Sequence, residues 1–171
     1  KNAKAQLLAT EIYSSMGERA KTVWLDIKMG QLNEAAMKEA AQHSKCIIAV
    51  VTRVEREGDA EDTAYFKRDF CLQELRWARE AGVPIQPVIQ RDDKDRIGAF
   101  LGQAPEDLKD LGKVDFKALD RISPAIWSTC IDEVIKGVDR LVGLPETSLR
   151  QPEPEPGAQP YVRTRHNKKK P

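Results

Sequence analysis

Apolar and polar positions alternate along the chain in a way that predicts helices and short buried strands in turn. Residues 3–16 carry apolar side chains at helical spacing, and the apolar run 22–26, which ends in an acid, predicts a first strand. Asn33 is a candidate cap for a second helix. The run 46–52 then predicts the clearest strand of the chain.

The second half of the pattern is similar but more interrupted. A helix that starts near Phe70 is predicted to end at Gly82, and residues 83–89 predict a third strand. Pro84 and Pro87 suit the end of that strand or the edge of a sheet, because proline cannot donate to a strand ladder.

The last predicted elements follow a long polar stretch, 90–112. Residues 114–116 predict a fourth short strand. Pro124 is predicted to open a final helix whose apolar stripe is formed by Trp127, Ile131, Val134, Val138 and Leu141.

This order of elements predicts an α/β fold. Parallel neighbours need crossover connections, so alternating strands and helices imply a parallel sheet with helices on both faces. Residues 53–65 are charged and predict an exposed loop. We expect one domain over 1–142 and a flexible tail over 143–171, because the tail is rich in proline, ends in basic residues and cannot pack a core.

Composition narrows the classes of function. The chain of 171 residues has a formal net charge of +1, so no overall field attracts nucleic acid. No apolar run approaches the roughly 20 residues that cross a bilayer, and no signal peptide opens the chain, which favours a cytoplasmic setting. Three scattered cysteines, which we interpret as core thiols, and two isolated histidines predict neither a disulfide framework nor a metal site.

Glu74 is the most informative residue. On a helical wheel it lies on the apolar arc of its helix, together with Phe70, Cys71 and Trp77. Burial of an ionised carboxylate is costly, so this position makes Glu74 a candidate acid, base or charge stabiliser. The alternatives are an ion pair with one of the nearby cations Lys67, Arg68 and Arg76, or an acid favoured by the helix dipole.

The segment 70–75, Phe-Cys-Leu-Gln-Glu-Leu, resembles the WCLxEL segment of plant Toll/interleukin receptor (TIR) domains, with Phe in place of Trp. Residues 24–26 and 44–52 resemble the family's second and third strands, and 83–88 resembles its IPVxPV fourth strand. The resemblance implies a flavodoxin-like sheet, with ligands bound beyond the strand C-termini. The family's first strand has no counterpart in the chain as given, which predicts that the chain is a fragment.

The resemblance also implies chemistry. Enzymatic TIR domains cleave the nicotinamide-ribosyl bond of NAD+ with one Glu, which corresponds here to Glu74. Trp24 and Phe70 resemble positions that stack on the dinucleotide, although both are equally compatible with core packing. Further substrate contacts are implied at Asp26, Met29 and Gly30, in a loop shorter than is usual in the family. Asp26 is also placed as a phosphoacceptor would be, but the paired acids of a phosphorelay site are missing.

The implied partners are NAD+ or NADP+ as substrate, with no bound cofactor, and other TIR domains in a homo-oligomer. The implied setting is signalling in innate immunity. Not every TIR domain is an enzyme, so a non-enzymatic scaffold that acts by self-association is the alternative function. On that alternative, Glu34 and Lys38 are candidate residues of the association surface.

Overall fold

The core of the molecule is a sheet of three parallel strands, seen in a computed structural model that describes residues 2–19, 21–25, 33–53 and 64–143. In the order β1-β2-β3, the strands are β1 (Ile47–Val51), β2 (Ile85–Gln90) and β3 (Lys117–Leu119). Ile47 is aligned with Ile85, and Val88 with Lys117. Helical crossovers connect the strands, so the chain has the predicted α/β, flavodoxin-like fold.

Helices surround this sheet. The described residues form five α-helices: α1 (Ala3–Gly17), α2 (Glu34–His43), α3 (Asp69–Glu80), α4 (Ile97–Gln103) and α5 (Pro124–Leu141). Short 3₁₀ segments cover Tyr65–Lys67, Arg91–Arg96 and Glu106–Lys113. The polar stretch 90–112 is therefore largely helical, an outcome that its composition concealed because only a few apolar positions, such as Phe100 and Leu108, are buried.

Several predicted helix ends are confirmed, and each has a local cause. The Asn33 side chain accepts a hydrogen bond from the Ala36 backbone N–H at 2.8 Å, which caps α2. Pro124 opens α5 next to the cap residue Ser123. After α3, Gly82 adopts a φ of 71°, a conformation that glycine accepts without a steric cost.

The sheet separates two apolar cores. On one face, Leu75 and Ala78 of α3 pack with residues of α4 and of the sheet. On the opposite face, Leu8 of α1 and Ile131 of α5 pack on side chains of β2 and β3. The α2 helix packs against α3 through a smaller cluster of Met37, Ala41 and Trp77. Helices therefore cover both faces, as parallel sheets require.

The expectation that Pro87 marks a sheet edge is wrong, because β2 is the central strand. The Ile47 N–H donates to Pro84 O at 2.9 Å, and alternate residues of a parallel ladder bond to alternate neighbours. This alternation turns the Pro87 nitrogen toward β3, before the pairing of β2 with β3 begins at Val88. The Gln86 side chain supplies a replacement donor, since its Nε2 donates to Asp115 O at 2.9 Å.

Two predicted strands differ from the structure. Residues 22–25 are not in a strand, and Asp26 lies outside the described residues. A strand needs a hydrogen-bonding neighbour, and within the described ranges no strand pairs with this segment. The last strand is Lys117–Leu119 rather than 114–116, because Val114 still closes the preceding 3₁₀ segment. The predicted tail also lies outside the described residues, apart from Gly143.

Candidate functional site

A large cleft runs along the side of β1 that faces away from β2. Its walls come from α1, residues 21–25, α2, the start of α3 and the C-terminal end of α5. The cleft has a volume of about 1790 Å³. This volume exceeds the roughly 300–1,000 Å³ typical of small-molecule sites.

The end of β1 positions the first turn of α3 at this cleft. The Tyr65 N–H donates to Thr52 O at 2.9 Å, directly after β1, and α3 begins at Asp69. The N-terminus of α3 thus lies beside the carboxyl end of a parallel strand. Open α/β sheets bind their ligands at this edge.

Glu74 is half-buried in the second turn of α3 and lines the cleft. The other side of α3 faces the 3₁₀ segment Glu106–Lys113. Arg76 Nε donates to Asp107 Oδ2 at 2.8 Å, and Arg79 pairs with Asp110. Of the ion pairs considered from sequence, the one between Glu74 and Arg76 is therefore wrong, since Arg76 bonds to Asp107.

A buried tyrosine lies next to Glu74. Tyr65 is only 6% exposed, and burial raises its pKa well above the ordinary range. Nearby Cys71 and Glu74 raise this pKa further, whereas the Arg68 guanidinium lowers it. The Tyr65 phenol therefore stays protonated at neutral pH and is a neutral hydrogen-bond donor beside the cleft.

The two aromatic candidates both line the cleft, and neither belongs to the core. Trp24 is 36% exposed and Phe70 is 55% exposed. Core packing of these two rings is therefore wrong. Phe70 is in the first turn of α3, before the helix turns its apolar side onto the sheet at Leu75. Their exposed rings can stack on a planar ligand.

The structure thus brings Glu74, Trp24 and Phe70 to one cleft. Asp26, Met29 and Gly30 lie outside the described residues. Sequence reasoning missed Tyr65 as a neighbour of Glu74. The prediction of an exposed loop over 53–65 is wrong at its end, because Ala64 and Tyr65 are buried, and residues 54–63 lie outside the described residues. Only its aromatic character separates Tyr65 from the charged residues that precede it.

The cysteines are half-buried thiols. Cys71 packs against the α3 core and Cys130 against the α5 core. Burial raises the pKa of the Cys46 thiol to about 11, although a backbone hydrogen bond from Gln86 lowers it in part. Cys46 is therefore protonated at neutral pH and a poor nucleophile.

Two features are absent from residues 2–19, 21–25, 33–53 and 64–143. No helix in these ranges is long and apolar enough to cross a bilayer. The same ranges hold no group of three or more His, Cys, Asp or Glu side chains arranged to bind a metal ion.

No family model matches the sequence, and no curated protein matches it either. A functional assignment therefore depends on the geometry of the cleft and on the resemblance carried by residues 70–75.

Proposed function

We propose that the chain is a TIR-type signalling protein that acts in the cytoplasm and cleaves the nicotinamide-ribosyl bond of NAD+, with Glu74 as the catalytic carboxylate. The observation that carries this proposal is the meeting of Glu74, Trp24 and Phe70 in one cleft. The carboxylate and both exposed rings are the groups that the TIR resemblance assigns to the substrate.

The reaction suits a single carboxylate. Nicotinamide leaves NAD+ as a neutral molecule, so the departing ring needs no general acid. Cleavage leaves an oxocarbenium-like ribose, whose positive charge Glu74 stabilises electrostatically. Water then attacks the anomeric carbon, its proton passes to Glu74 or to solvent, and the products are nicotinamide and ADP-ribose.

The surroundings of Glu74 favour this role. Half-burial reduces the screening of its charge by solvent, which strengthens its interaction with a developing cation. Tyr65 remains neutral beside it and brings no competing charge. Trp24 and Phe70 present exposed aromatic area for the planar rings of the dinucleotide.

One observation favours a second candidate, a non-enzymatic scaffold. Glu34 and Lys38 are both exposed, one turn apart on α2, and offer charges of opposite sign to a neighbouring copy of the chain. If the scaffold is the function, reversal of either charge alone, at Glu34 or at Lys38, should weaken self-association in sedimentation velocity, because it places like charges opposite each other. Unchanged association would argue against this surface.

The test of the enzymatic proposal is nicotinamide release from NAD+, followed by liquid chromatography over a series of protein concentrations. Glu74→Gln keeps the size of the side chain and removes its charge, so we expect kcat to fall by roughly 10²–10³-fold. The matched control is Glu80→Gln, on the same helix, exposed and outside the cleft, which should leave the rate unchanged.

The same chromatograms separate related activities. ADP-ribose indicates hydrolysis, cyclic ADP-ribose indicates cyclisation, and replacement of NAD+ by NADP+ compares the two substrates. The enzymatic proposal fails if concentrated, self-associated protein releases no nicotinamide, or if Glu74→Gln is as active as the parent chain.

A further inference from the structure

The outer edge of β1 is an open strand edge that faces the cleft. Parallel ladders bond alternate residues to alternate neighbours, and the Ile47 N–H donates to Pro84 O. Residues 47, 49 and 51 therefore bond to β2, whereas the N–H and C=O groups of Ile48 and Val50 face away from it. Within the described ranges no strand pairs with that edge. An apolar strand edge left open in this way is a site for strand addition.

The cleft beside this edge has the form of a slot that continues the sheet. Helix α1 packs on one face of the sheet and α2 on the other, and both line the cleft next to β1. Their side chains in the cleft are largely apolar, among them Ile12, Met16 and Met37. Ile48 and Val50 are only partly buried, whereas residues 85–89 of the central strand are buried. An extended segment in the slot would complete the burial of β1.

The C-terminal tail leaves the folded domain at this slot. Val142, which follows the end of α5, lines the cleft, and the described residues end at Gly143. A crossover helix runs antiparallel to the strand before it, so α5 brings the chain back to the amino end of the sheet. A strand parallel to β1 begins at that end.

The position of α5 also gives such a strand the right handedness. Leu75 of α3 and Phe100 of α4 pack on one face of the sheet, and Ile131 of α5 packs on the opposite face. Because crossovers between parallel strands are right-handed, a chain that advances from β1 to β3 over one face returns over the other. A strand that follows α5 and lies on the open side of β1 satisfies this rule.

One segment of the tail has the composition of a strand. Residues 161–165 are Tyr-Val-Arg-Thr-Arg, and Tyr, Val and Thr are favoured in strands. These five residues equal β1 in length and contain no proline, whereas residues 144–160 contain five prolines. A flexible coil of those seventeen residues spans roughly 20–25 Å, and a five-residue strand is about 16 Å long, so both ends of the slot are within reach.

We propose that residues 161–165 of the tail dock in the slot as a strand parallel to β1 and pair with Ile48 and Val50. The tether holds this segment at an effective concentration on the order of millimolar, so weak pairing is enough to keep it in place. A docked tail and a ligand of the cleft exclude one another, which makes the tail a competitor for the site. The proposal does not depend on a catalytic role of Glu74.

The test is amide hydrogen exchange in the full chain, measured at single residues by NMR. The N–H groups of Ile48 and Val50 should exchange at least about tenfold more slowly in the parent chain than in a chain whose tail cannot pair. Ala49 and Val51 are bonded to β2 and serve as internal controls that should not change.

The variants are Val162→Pro and Arg163→Pro. Successive residues of a strand bond to opposite sides, so one of the two removes a donor that faces β1, and that variant should lose the slow exchange. Ala158→Pro, in the segment that precedes the proposed strand, is the matched control and should keep it.

Slow exchange that is independent of protein concentration, and that one of the two proline variants loses, supports the docked tail. Equal exchange of Ile48 and Val50 in the parent chain and in both variants overturns it, whether the edge is open or covered by another segment. Slow exchange that disappears on dilution also overturns it, because the strand then comes from a second copy of the chain. An equal loss in Ala158→Pro would show that residues 161–165 are not the pairing segment.

Discussion

Gly137 of α5 is predicted to be a position where alanine, normally the better helix former, destabilises the protein. A Cβ added at Gly137 would lie 2.2 Å from Gln86 Oε1 and 3.0 Å from Gln86 Cδ. Gln86 is 1% exposed and therefore has little space into which to move. Its Nε2 is bonded to both Pro87 O and Asp115 O, so a shift of the amide also breaks hydrogen bonds.

Gly137→Ala has one stabilising effect on the folded protein and two destabilising ones. Alanine in place of glycine within a helix contributes up to about 1 kcal/mol of stability. Overpacking of a well-filled core costs about 1–3 kcal/mol, and a buried carbonyl that loses its donor costs about 1–3 kcal/mol. We therefore expect Gly137→Ala to lower the free energy of unfolding by about 1–5 kcal/mol.

The assay is urea unfolding followed by circular dichroism. The control is Gly102→Ala in α4, where an added Cβ meets no atom within 4 Å, and it should be neutral or stabilising by up to about 1 kcal/mol. A double-mutant cycle with Gln86→Ala isolates the contact, because the cost of Gly137→Ala should largely disappear once the amide is gone. Equal stability of Gly137→Ala and the parent chain, or an equal cost in both backgrounds, would refute the reasoning.

Two further predictions concern stability. The pKa of Cys46 is about 11 in the folded chain and lower in the unfolded chain, so the free energy of unfolding should fall by up to about 3 kcal/mol as pH rises from about 9 to 11. Cys46→Ala should flatten this loss when urea unfolding is repeated across that pH range. An unchanged pH dependence in Cys46→Ala would contradict the burial argument. Asn2 caps α1 and also donates from Nδ2 to Arg53 O, whereas the Asn33 side chain only caps α2. Asn2→Ala should therefore lower the melting temperature more than Asn33→Ala does. The reverse order would show that the bond to Arg53 O contributes nothing.

Much of the fold could be predicted from the sequence, because local signals mark most of its elements. Asn33, Gly82 and Pro124 each fix a helix end through their own backbone or side-chain chemistry, and the apolar run 46–52 predicts a strand, which the structure has over Ile47–Val51. The position of β2 could not be predicted. The effect of Pro87 depends on which neighbour its nitrogen faces and on a donor from Gln86, and neither is visible in a local pattern.

The site was predictable only in part. The periodicity of α3 singled out Glu74, and the structure places it in the cleft with the two aromatic residues chosen by resemblance. The same periodicity placed Phe70 on the apolar arc of α3, but its ring is exposed. The reason is that the first turn of α3 extends beyond the surface that the helix buries. The place of Tyr65 beside Glu74 depends on contacts between segments, which spacing along the chain does not encode.

The bond from Gln86 to Asp115 O has a consequence for how the last strand aligns. β3 has only three residues, so its ladder alone holds it weakly against sliding along β2. A slip of one residue would exchange the two faces of the strand and move Leu119 out of its core. The buried Gln86 amide bonds to Asp115 O just before β3 begins, and this bond fixes the register of β3 against β2. A same-sized apolar replacement at position 86 would therefore endanger the pairing itself, and not only its strength.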